Sequence, residues 1–240
     1  MNVKDRLIFA LDVDTFEAAT CWVETLKGEV GMFKVGKQLF TRCGPEVVSM
    51  IRAAGQEVFL DLKYHDIPNT VAAAAVEATR LGVKMFNVHA LGGPNMLATM
   101  QERVRTTAAA EGRPLPVSLG VTILTSSSAD DLRAVGIEHS VEEMVERLAL
   151  LSKDAGLSGV VASARELSLI RAACGSDFVV VTPGVRPAFA APDDQQRIVA
   201  PAAAIAQGAD YIVVGRPISR ADDPVGAARA IVAEMEGGIG

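Results

Sequence analysis

Asp61 and Lys63 stand two residues apart in the run Phe59-Leu60-Asp61-Leu62-Lys63. In an extended strand this spacing turns both charged side chains to one face and Leu60 and Leu62 to the other. Lys34, in the neighbouring run 31–36, brings another cation to the same region. Such a Lys–Asp–Lys array reads either as a satisfied ion pair or as a reaction site whose ammonium groups face developing negative charge. Replacing a buried ion pair with apolar residues is often neutral or stabilising, so stability is a weak reason to keep one. A second group of residues points to an anion. Gly215-Arg216 follows the last β-branched run, where open backbone N–H groups and a guanidinium suit a phosphate; the alternative for Arg216 is a solvated surface charge. Arg186 and Gln195, in the preceding irregular segment, could fold over the same anion. Asp66 lies in the turn after Lys63 and just before Pro68, where it reads as a loop residue or as a helix cap.

Eight short runs rich in β-branched residues are available to position these groups, over 7–13, 31–36, 58–63, 84–89, 117–122, 159–163, 178–183 and 211–215. Ala-rich amphipathic stretches lie between them, among them 16–26, 70–80, 141–155 and 224–236. Strands alternating with helices imply a parallel sheet, and eight is the number that closes a (β/α)8 TIM barrel. An open doubly wound sheet is the alternative that spacing leaves standing. Gly28, Gly55, Gly82, Gly156 and Gly208 fall where helices should stop, as capping by glycine predicts. No Pro/Ser-rich linker interrupts the pattern, so residues 1–240 read as one α/β barrel domain. Asp12, Lys34, Asp61, Lys63, His89, Thr122, Ser163, Arg186 and Arg216 all fall at strand ends, where barrel active sites are built. So many polar groups at one end are hard to explain as packing, because each would need its own buried partner. Two irregular segments follow strands: the polar stretch 124–131 and the longer 183–199, the length of a functional lid.

Composition narrows the function classes. Half of the 240 residues are hydrophobic and 5% aromatic, the usage of parallel strands covered by helices. A net charge of −6 argues against a nucleic-acid partner, which would call for a basic face. Cys21, Cys43 and Cys174 are odd in number and scattered, which fits buried thiols in a reducing cytoplasm. The charged residues 1–6 do not make a signal peptide, and no uncharged apolar run reaches membrane-spanning length. His65, His89 and His139 lack metal-ligand spacing, and His89 reads equally as pocket lining or as structure. Trp22 reads as core or rim, and Glu142-Glu143 as a solvated helix face.

The run DLKYHDIPNT (Asp61 to Thr70) resembles the DxKxxDIPNT signature of the orotidine 5′-phosphate decarboxylase family. FALD at Phe9, FKVG at Phe33, VTILTS at Val121, TPGVRP at Thr182, DDQQR at Asp193 and VVGRPI at Val213 resemble the same family in the same order. The resemblance implies decarboxylation of orotidine 5′-monophosphate to UMP, the last step of UMP synthesis, in the cytoplasm and with neither metal nor organic cofactor. It assigns Asp12 and Lys34 to the ribose hydroxyls, Asp61 to the neighbourhood of the substrate carboxylate, and Lys63 to protonation of C6. Asp66 and Thr70 would reach across a homodimer interface into the partner's site, and Ile67 joins the substrate-binding set. Thr125 would lie over the pyrimidine, and Arg186, Gln195, Gly215 and Arg216 would hold the phosphate. Three other readings stand beside it. One is a Mg2+-dependent lyase resembling 3-hexulose-6-phosphate synthase, another a Schiff-base aldolase built on Lys63, and the third a non-catalytic phosphate-binding barrel.

Overall fold

The computed structural model describes residues 2–187 and 199–238. Eight parallel strands pair in sequence order and β8 returns to β1, closing the barrel and excluding the open sheet. They are β1 Leu7–Ala10, β2 Met32–Gly36, β3 Glu57–Tyr64, β4 Met85–His89, β5 Val117–Val121, β6 Gly159–Val161, β7 Val179–Pro183 and β8 Tyr211–Val214. The helices between them include α1 Phe16–Leu26, α2 Lys37–Cys43, α3 Glu46–Ala53, α4 Pro68–Arg80, α5 Gly93–Ala110, α6 Ala129–Ala134 and α7 Val141–Asp154. Helices α8 Leu167–Cys174, α9 Pro201–Ala206, α10 Arg216–Ser219 and α11 Pro224–Glu236 complete the ring.

Alternation along the strands sorts the apolar residues into two sets. Ile8, Met32, Phe59, Met85, Leu119, Val181 and Val213 fill the barrel interior, while Leu7, Phe33, Leu60, Phe86 and Ile212 pack outward against the helices. The interior is therefore a packed core, and truncating a fully buried aromatic such as Phe59 would cost roughly 3–5 kcal/mol. The five glycines expected to stop helices all take positive φ, between 71° at Gly82 and 102° at Gly208. At the N-terminal end of the barrel the Arg171 guanidinium donates to the carbonyls of Gly175, Ser176, Phe178 and Gly208 and pairs with Asp210. That end is spent on stability, which leaves the C-terminal end for chemistry.

Several expectations need correction. Strand β1 stops at Ala10 rather than at residue 13, so Asp12 lies in the loop above the barrel. Helix α4 begins at Pro68, two residues before the expected start, because proline is favoured at the first helical position. Only Cys174 is buried; Cys43 is half-buried and Cys21 is exposed, since Cys21 falls outside the Ala19–Val23–Leu26 stripe by which α1 packs. Glu143 is more than a solvated charge: with Ser140 it forms the capping box of α7. Trp22 sits on the core rim, its ring 5.4 Å from that of Phe9. Among the described residues no helix is long and apolar enough to cross a membrane.

Candidate active site

The charged residues of β2 and β3 meet inside the barrel mouth. Lys34 Nζ lies 3.4 Å from Asp61 Oδ2 and 3.2 Å from Asp12 Oδ1. Lys63 Nζ lies 2.5 Å from Asp61 Oδ1. The result is a continuous chain Asp12–Lys34–Asp61–Lys63, in which Asp61 is the most enclosed carboxylate. Burial pushes the Asp61 pKa up, but the charges of Lys34 and Lys63, with hydrogen bonds from Lys63 and Asn87, outweigh it and hold it below its ordinary value. Asp61 is therefore an anion at neutral pH.

Plain strand alternation does not deliver this pairing. Leu60 pairs with Phe86 and Tyr64 with Val88, so the register of β3 slips and residues 61–63 oppose Asn87 alone. Lys63 takes φ 51°, the only positive φ outside glycine among the described residues. A left-handed conformation costs a non-glycine residue roughly 1–2 kcal/mol, and such strain persists where neighbours over-determine it. Here Asn87 Oδ1 accepts the Lys63 backbone N–H at 2.8 Å, while Asn87 Nδ2 donates to Asp61 Oδ1 at 2.7 Å. Asn87 escaped the sequence reading. Its signal was a polar residue at an inward position of the apolar run Met85-Phe86-Asn87-Val88.

Two cavities adjoin the array and share Lys34, Asp61, Pro183 and Val213. The first, about 230 Å3, is lined also by Asp12, Gly184, Arg186, Gly215 and Arg216. The second, about 200 Å3, is lined by Phe59, Lys63, Val121, Ile123, Leu124 and Thr125, among others. One end thus offers guanidinium groups and the other a mostly apolar slot, with the charge array at the junction. A side chain at Gly215 would crowd the first cavity, because an added Cβ would stand 3.2 Å from Ala10 Cβ and 3.7 Å from Asp12 Oδ2.

Asp12, Lys34, Asp61, Lys63, Thr125, Arg186, Gly215 and Arg216 are therefore brought together. Gln195 lies outside the described residues. Asp66, Ile67 and Thr70 are exposed and line neither cavity. Asp66 does not cap α4: it accepts the N–H of Ile67 at 2.6 Å, and Ile67, itself the N-cap residue, makes no side-chain cap bond. Thr122 and Ser163 prove structural, Thr122 donating to the Val161 carbonyl and Ser163 forming a capping box with Glu166. His89 sits beside His65, rings 5.5 Å apart, and lines neither cavity. Burial, and then the charges of His65, Lys37 and Lys63, push its pKa down to about 4, so the ring is neutral at pH 7. The ends of the irregular segment are tied together by a bridge between Val185 and Val199, with the Arg186 N–H donating to the Val199 carbonyl at 3.0 Å.

Residues 5–231 match the sequence model of the orotidine 5′-phosphate decarboxylase / HUMPS family. Over 235 residues the chain is 64% identical to the orotidine 5′-phosphate decarboxylase of Syntrophotalea carbinolica, spanning 98% of this chain and 96% of that one. It is 58% identical over 237 residues to the enzyme of the same name from Geobacter sulfurreducens, spanning 99% and 98%. The crystal structure of orotidine 5′-phosphate decarboxylase from Lactobacillus acidophilus superposes with a TM-score of 0.85 at 38% identity, covering 95% of this chain and 98% of that one.

Proposed function

The chain belongs to the orotidine 5′-phosphate decarboxylase / HUMPS family, and from that premise we propose that it converts orotidine 5′-monophosphate and a proton into UMP and CO2. The observation that carries this reading is the chain Asp12–Lys34–Asp61–Lys63 at the junction of a guanidinium-lined cavity and an apolar one. Phosphate fits beside Arg186 and Arg216, and the family resemblance assigns Gln195 to the same phosphate. The pyrimidine fits the slot by Thr125, and the ribose hydroxyls meet Asp12 and Lys34.

Breaking the C6–carboxylate bond releases CO2 and leaves its electron pair on C6, in the ring plane, where no conjugated acceptor takes it up. A fixed ammonium is what such a centre needs. Lys63 faces the carbanion as it forms, then donates an Nζ proton to C6 and later regains one from water. Asp61 near the departing carboxylate is unfavourable before CO2 leaves and less so afterwards, a secondary contribution. Lys34 holds Asp61 from the other side. Phosphate binding at the remote end supplies energy that the reacting end uses.

The site is completed by a second copy of the chain. Asp66, Ile67 and Thr70 belong to the partner's cavity in a homodimer with shared sites. Their exposure supports this, as does the large apolar side chain of Ile67, left 67% exposed. We place the enzyme in the cytoplasm at the last step of UMP synthesis, acting on a small nucleotide and not on nucleic acid, in keeping with its net charge of −6. The test is loss of orotidine monophosphate absorbance on adding purified protein in EDTA, with one CO2 released per UMP. A protein that acts on a sugar phosphate only with added Mg2+ would replace this reading with the lyase one, and an inert protein would replace it with the non-catalytic barrel.

A further inference from the structure

We propose that Asn87 is a positioning residue of this site, its amide clamping the Lys63 backbone to the Asp61 carboxylate and so fixing where the Lys63 ammonium stands. The inference rests on the reading of Lys63 as the proton donor.

Asn87 is 1% exposed, on the inward face of β4 directly above Met85. A buried amide is costly in such surroundings unless its polar atoms are met. Both hydrogen bonds found for its side chain go to the reaction site: the oxygen to the Lys63 N–H at 2.8 Å and the nitrogen to Asp61 Oδ1 at 2.7 Å. With the 2.5 Å contact of Lys63 Nζ to the same Asp61 oxygen, these bonds close a ring through Asn87, Asp61 and both ends of Lys63.

The ring explains the irregular strand. A regular β3 would pair residues 61–63 with β4 in turn, and the Lys63 N–H would enter the ladder. Instead β3 gains residues between Leu60 and Tyr64, and Lys63 turns to φ 51°. The N–H displaced by that turn finds Asn87 Oδ1, 24 residues away in sequence. Without this acceptor the strained conformation loses its anchor, and the ammonium is free to leave its place beside Asp61. The amide orientation is not arbitrary either, since a flipped amide would set its oxygen against the Asp61 carboxylate and its NH2 against an N–H.

Two substitutions separate the parts of the clamp. Asn87→Leu removes acceptor and donor while keeping the branched shape of the side chain. Asn87→Asp keeps an acceptor for the Lys63 N–H and replaces the donor to Asp61 with a second carboxylate. Facing Asp61 are Lys34 on β2, Lys63 on its own strand, His89 at the end of β4, and Asp12, Arg186 and Arg216 around the cavity. Adding an anion there raises the pH at which the carboxylate pair takes up a proton.

For Asn87→Leu we expect kcat on orotidine monophosphate to fall on the order of 100-fold, the effect of a misplacement near 1 Å, with UMP affinity by calorimetry nearly unchanged. For Asn87→Asp we expect the acid limb of the kcat profile to move to higher pH, with more activity than the leucine variant above that limb. A crystal structure of either folded variant provides a readout independent of turnover. In Asn87→Leu, Lys63 should relax to negative φ and its ammonium should leave Asp61. If Asn87→Leu binds UMP and keeps wild-type kcat, or retains the left-handed Lys63 and the ion pair, the inference is overturned. If the leucine variant does not fold, an Asn87→Asp enzyme with an unmoved acid limb overturns it equally. Should the wild type fail to decarboxylate orotidine monophosphate, the functional reading fails, and the crystallographic comparison still decides whether Asn87 positions Lys63.

Discussion

The Lys34 ammonium stands between two carboxylates that reach it from different sides, 3.2 Å from Asp12 Oδ1 and 3.4 Å from Asp61 Oδ2. It is only 12% exposed, whereas the Asp12 side chain is 66% exposed, so the stronger consequence falls on Asp61. Burial alone would raise the Asp61 pKa, and the Lys34 charge is the largest of the influences that lower it.

Lys34→Gln should therefore raise the Asp61 pKa. The wild-type anion contributes stability above the ordinary carboxylate range of about 4, and that contribution is lost only as pH falls through the lowered folded value. In the variant the loss begins at higher pH. The acid limb of kcat, measured with saturating orotidine monophosphate, should move upward, and kcat at its plateau should drop by roughly 100-fold through loss of positioning. An unmoved limb would mean that Lys34 serves the ribose alone.

Arg216 tests the other end of the site. Arg216→Ala should lower kcat/KM for orotidine monophosphate by roughly 10- to 100-fold, the worth of one or two charge-assisted hydrogen bonds. For the phosphate-free nucleoside kcat/KM should scarcely change. Equal losses on both substrates would make Arg216 a structural residue.

Shared sites predict complementation. Lys63→Ala and Asp66→Ala homodimers should each be nearly inactive. Unfolded together and reassembled, about half the dimers are mixed, and each mixed dimer of a two-fold symmetric pair has one site with both lesions and one with neither. Activity should return to roughly a quarter of wild type per chain. Simple mixing without exchange should restore none. Verified mixed dimers as inactive as their parents would place Asp66 in its own subunit's chemistry.

The barrel was legible because its signals are local: β-branched runs, helical periodicity and glycines at helix ends each act over a few residues. Helices α1 and α11 fall where the pattern put them, and β4 begins one residue late. The capping boxes Ser140–Glu143 and Ser163–Glu166 were equally local but went unread. The charged set was legible as residue types at strand ends. Its geometry was not, because the turn at Lys63 is held by Asn87 from another strand. Pleating put Asp61 and Lys63 on one face and missed the slipped register and the left-handed turn at Lys63 that bring them into contact. Thr122 and Ser163 carried the same positional signal as Lys34 yet bond to the scaffold, Thr122 to the Val161 carbonyl of β6 and Ser163 to its own helix end, which residue type at a strand end does not distinguish.

The central claim is that Lys63 delivers the proton to C6, and turnover of orotidine monophosphate by Lys63→Ala tests it most directly. The measurement is single-turnover decarboxylation by wild type and variant, with UMP binding by calorimetry confirming a folded site. A group that stabilises the carbanion and supplies its proton accounts for roughly 10²–10⁴-fold, so the variant should lose at least that much while still binding UMP. A folded Lys63→Ala enzyme that keeps more than a few per cent of the wild-type rate would contradict the account.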